Sequence, residues 1–243
     1  MSYRSIDPDE LVRTVERLRQ RVYERFPGSG LFKVAEELEA VTRSSAERAV
    51  WTGKPLLAAR IAMVVLILLL VGAVAATAIL ALQTSGQGQP VGLSELVQGI
   101  EAGSNQVIFV GAAIFFLASL ETRVKRARVL AALHELRSMA HIVDMHQLTK
   151  DPERLLVPGP DTPSSPHYAI TSFELGRYLD YCTEMLSLIG KMGALYARYT
   201  NDAPALAAVD QLEDLTSGLS HKIWQKIMIL HQLNANETSS APA

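Results

Sequence analysis

Two patterns of apolar residues run along this chain, and they predict two kinds of helix. In the first, apolar positions recur every three or four residues among charges. Leu11, Val15, Leu18 and Val22 do so behind Asp7-Pro8, a cap and first-position pair that starts a helix, and Pro27-Gly28-Ser29-Gly30 ends it. Leu31, Val34, Leu38 and Val41 repeat the pattern in a second helix. In the other pattern the apolar residues are unbroken. Positions 61–82 hold 22 residues without a charge, and Thr77 alone carries a hydrogen-bonding side chain. As a helix this run is about 33 Å long, enough to cross a hydrocarbon core of roughly 30 Å. It begins too late, after too many charged residues, to be a cleaved signal peptide.

A second unbroken run is shorter. Val107 to Leu120 is 14 residues, so a span must reach back to Ala102, giving 102–120 and about 28 Å. Charge placement supports the crossing. Arg43, Arg48, Lys54 and Arg60 precede the first run, and Arg123, Lys125, Arg126 and Arg128 follow the second. The connection between them has no Lys or Arg. The positive-inside rule therefore puts both termini in the cytoplasm and an outer loop at 83–101. That loop opens with a Gly-rich turn at 84–90, and Ser94 caps a short helical turn at 95–100.

Beyond the second run the periodic pattern returns. Val129, Leu133, Leu136, Ala140 and Val143 are spaced for one helix face, and no breaker separates them from the span. One continuous helix is expected from about 102 to 148, stopped at Lys150-Asp151-Pro152. Its other face is unusual. Ala127, Ala131, His134, Ser138, His141 and Met145 are small, neutral or weakly polar, so this helix needs two neighbours. The N-terminal helices and a second protomer are the candidates. Five prolines then make 151–168 an extended linker. Leu175, Tyr178, Cys182, Met185, Ile189, Met192, Tyr196 and Tyr199 follow as a heptad-like seam of a central helix, with Gly190 and Gly193 allowing close approach. Asp202 caps a last helix whose acids lie early and lysines late, as the helix dipole favours. The polar segment 235–243 reads as a disordered tail.

Composition adds exclusions. The net charge of -2 argues against nucleic-acid binding, and a single cysteine rules out a disulfide scaffold. The richest chemical cluster holds His134, His141, Asp144 and His146. His134 and His141 lie about 10.5 Å apart along a helix, too far for one ion bound at about 2.0–2.1 Å. His141 and Asp144 alone could share a metal, with ligands from elsewhere. Gly72 and Ala76 are a small-xxx-small pair suited to packing within the hairpin. Asn105 and Gln106 are the candidate pore-lining residues. No acid or base lies mid-span, and no phosphate loop or nucleophile motif appears.

The expectation is an all-α membrane protein. A cytoplasmic N-terminal helical pair occupies 1–55 and a transmembrane hairpin 56–121. An antiparallel three-helix cytoplasmic bundle occupies 122–234. It is expected to work without catalysis or cofactor, as an oligomeric scaffold or interaction module. His134, Ser138, His141 and Met145 would form the bundle or oligomer interface. Its expected partners are the lipid bilayer, further copies of itself and a cytoplasmic protein, in a plasma membrane of the bacterial inner-membrane type. A small oligomeric channel or membrane-perturbing effector is one alternative. It rests on the order of helices, hairpin and helix, which is similar in architecture alone to two-span effector domains of bacterial conflict systems. A metal-binding protein using the His134–His146 region is the other.

Overall fold

The computed structural model describes residues 5–52, 54, 57–85, 92–153, 162–165 and 170–240. It is all-helical, with no strand among the described residues. The long helices among the described residues are, in order, α1 Pro8–Arg25, α2 Gly30–Thr52, α3 Leu57–Ser85, α4 Leu93–Leu148, α5 Ser172–Ala197 and α6 Ala203–Ser240. The chain divides into two compact units, residues 54–127 and the remainder. Helix α4 supplies residues to both.

The larger unit is a helical bundle whose starts and stops come from local chemistry. Asp7 accepts the Asp9 N–H at 2.9 Å at the head of α1, and Pro8 fills the first position, where a missing N–H costs nothing. Gly28, at φ +71, takes the left-handed turn between α1 and α2, a conformation that a side chain would oppose. Thr171 and Glu174 form a reciprocal capping box on α5. Within the bundle α5 is central. Its seam is buried from Leu175 to Tyr196, as are Tyr181, Leu186, Leu188 and Leu195 on its other faces, while Tyr199 is half-buried just past the helix end. Helices α1, α2 and α6 pack on it. Residues Val129, Leu133, Leu136 and Val143 of α4 join the same core. Gly190 and Gly193 let α6 come close. A Cβ on either would lie 2.9 Å from an α6 side-chain atom, Thr216 Oγ1 or Leu212 Cδ2.

Helices α1 and α2 share one core with the C-terminal helices. The short helical turn at 95–100 belongs to α4, which begins at Leu93 and shortens the expected outer loop. Nothing between Leu93 and Ala102 stops a helix, and extending an existing helix is easier than nucleating one. Likewise α6 runs through Ser240, since no proline or glycine intervenes before Pro242. Only 241–243 of the expected tail, and most of the Pro-rich linker, lie outside the described residues.

The smaller unit holds α3 and the first part of α4. Both helices are long and apolar enough to cross a membrane, and the most apolar stretch of each is not buried. Each carries a strip of half-buried positions: Met63, Leu66, Leu70 and Ala73 on α3, and Gly103, Gln106, Val110 and Leu117 on α4. Most other positions at 61–76 and 107–118 are exposed and apolar, with Leu68 at 65% and Phe109 at 75%.

Candidate functional site

Two features of the bundle surface stand out. The first is the unusual face of α4. His134, Ser138, His141 and Met145 are exposed, with Met145 at 59%. The N-terminal helices do not cover them. Helix α2 meets α4 on another side, where Arg48 Nη2 donates to Glu135 at 2.6 Å. Helix α6 meets it through Arg137 and Gln211, at 3.4 Å, and through Lys226, whose ammonium donates to the Gln147 and Lys150 carbonyls at the C-terminal end of α4. A cation placed there offsets the negative end of the helix dipole.

The second feature was not anticipated from sequence. Helices α1 and α6 flank α5 and leave an open groove of about 1310 Å³ along it. Leu11, Leu188, Ala194 and Ile227 make its lining partly apolar. The carboxylates of Asp7, Glu10, Asp180, Glu184 and Glu213 line it too, against Arg13 and Lys191. Four of these acids are engaged. Asp7 is a helix cap, Glu10 pairs with Arg13 at 2.7 Å, Asp180 with Arg177 at 2.9 Å, and Glu184 with Arg21. Trp224 stands half-exposed on the α6 bank, stacked on His221. The available sequence signal was the polar flank of an otherwise apolar α5: Thr183, Glu184, Ser187 and Lys191 lie on this open side.

The remaining candidates separate. Gly72 and Ala76 are exposed, and a Cβ on Gly72 would meet nothing within 4 Å. The half-buried strip of α3 runs through Ala73. Small-residue spacing names a face that would permit contact, whereas the partner selects the face used. Asn105 is exposed and Gln106 half-buried. Asp144 accepts from Gln147 Nε2 at 2.7 Å. Among the described residues no group of three or more His, Cys, Asp or Glu side chains is placed to hold a metal. Cys182 is buried, and burial pushes its thiol up to about 12, which leaves no appreciable thiolate at neutral pH.

A smaller cavity of about 350 Å³ lies between Gly30, His146, Lys150 and Tyr178. The Lys150 ammonium sits 5.2 Å from the Tyr178 ring centre, and burial lowers its pKa. Tyr178 donates to the His146 carbonyl at 3.2 Å.

Compared with known protein families, with curated proteins and with solved structures, the chain finds no match.

Proposed function

We infer that the chain is an integral membrane protein whose helical body acts without catalysis, as a self-associating scaffold or interaction module on the cytoplasmic face. The observation that carries this reading is the exposure of α3 and the first part of α4. Phe109, Phe115, Leu68 and Leu69 are 65–75% exposed on helices with almost no charge. Water is a poor solvent for such a surface, and monomeric soluble proteins rarely show apolar patches beyond a few hundred Å². Lipid solvates it, and helices satisfy their own backbone groups there. The basic residues flanking both segments, with none between, support cytoplasmic termini. The uncovered, uncharged face of α4 supports self-association.

Membrane fractionation tests the first part. The chain should remain in the pellet after alkaline carbonate and leave it in detergent; release by carbonate alone overturns the reading. A cysteine introduced at Gly88 should react with an impermeant maleimide from outside intact cells, and one at Lys33 only after lysis. Sedimentation in mild detergent should give a mass above the monomer.

A further inference from the structure

The uncovered face of α4 and the α1–α5–α6 groove are complementary, and we propose that they meet between copies. The 131–145 face of one protomer docks into the groove of the next. This rests on the self-association reading above and names its interface.

Size and direction agree. The 131–145 face is 15 residues, four turns, about 21 Å long. The α5 floor of the groove, from Asp180 to Ala194, is likewise 15 residues long. Leu133 lies beside Gly193, and Tyr178 bonds the His146 carbonyl, so the bundle segment of α4 runs opposite to α5. Arg21 pairs with Glu184, and Arg198 donates to the Ile6 carbonyl, so α1 also runs opposite to α5. Thr216 lies beside Gly190 and Leu212 beside Gly193, which gives α6 the same direction. A like-oriented copy therefore offers its α4 face parallel to both banks.

The chemistry agrees as well. Ala131, His134, Ser138, His141 and Met145 include no carboxylate and no permanent charge, so burying them costs little desolvation. Their two imidazoles supply N–H donors to a groove in which carboxylates outnumber cations. Glu213 has no ion-pair partner among the described residues. Met145 is a flexible apolar side chain suited to an irregular surface, and Trp224 on the bank is a typical interface anchor. Face and groove are different surfaces of one chain, so the contact is heterologous and builds a ring or a filament rather than a two-fold dimer.

The test uses the full chain in proteoliposomes with two single variants, Ser138→Cys on the face and Ser187→Cys in the groove. Both sites are exposed, and buried Cys182 does not compete. Oxidation of the co-reconstituted variants should give a disulfide-linked dimer, and each variant alone should give none. Self-crosslinking of Ser138→Cys would overturn the proposal by showing face against face. An oligomer by sedimentation without a mixed crosslink would overturn the proposal and leave self-association standing. A monomer by sedimentation would overturn both. As a second arm, Ser138→Glu should shift the sedimenting species to monomer while leaving the thermal unfolding of the body unchanged; an unaltered oligomer counts against the interface.

Discussion

Helices α3 and α5 are both rich in leucine and treat it in opposite ways. In α5, Leu186, Ile189 and Leu195 are fully buried, while Leu68 and Leu69 on α3 are 65% exposed. Their flanking chemistry separates them. Helix α5 places Arg177, Glu184, Lys191 and other polar groups along its open side, so it shows protein to one side and water to the other. Helix α3 has no such side between Ile61 and Leu82. An apolar residue needs a solvent other than water, and the chain itself provides that solvent only for α5.

Mutations in the two helices can break or sharpen this contrast. Leu186→Ala should destabilise the bundle by about 2–5 kcal/mol, through lost burial and a cavity. Leu68→Ala should shift the same thermal unfolding by under about 0.5 kcal/mol. Equal effects would mean that protein covers α3. Leu68→Arg should cost about 2.5–3.5 kcal/mol of membrane insertion, read as the fraction of chain in the membrane pellet. An unchanged fraction would remove lipid from the comparison. Gly193→Ala places a methyl 2.9 Å from Leu212 Cδ2 and should cost about 1–3 kcal/mol, relieved when Leu212→Ala is added. The same change at Gly72, which faces open space, should leave bundle stability unchanged.

The smallest effect concerns pH. Hydrogen bonds from the Thr171 backbone and side chain hold the Glu174 carboxyl below its ordinary value of 4.5. Its folded-state pKa is depressed, so its contribution is present above 4.5 and lost as pH falls through the lower, folded value. Glu174→Gln should remove that increment from the acid limb of a stability profile. An identical acid limb would mean that the capping box carries no linkage.

Much of the bundle was legible because its signals are local. The recurrence of Leu11, Val15, Leu18 and Val22 marked the face that the fold buries. Gly190 and Gly193 marked a close crossing. The continuity of α4 followed from the absence of any breaker. Longer-range facts were not legible. Nothing in the sequence of α1 says that it shares a core with α6. Gly72 looked as suitable for packing as Ala73. The groove has no motif, because it is a gap between helices distant in sequence.

Sequence alone therefore determined where the main helices lie, the caps at Asp7 and Asp202, and which helices no water-soluble body would leave uncovered. These properties depend on caps, breakers and periodicity within a turn or two of each residue. Tertiary structure decided that the N-terminal helices join the C-terminal core, that the His134–Met145 face stays open, and that a groove separates α1 from α6. Those outcomes depend on which of several suitable faces meet, and that choice is made by the packing of the bundle as a whole.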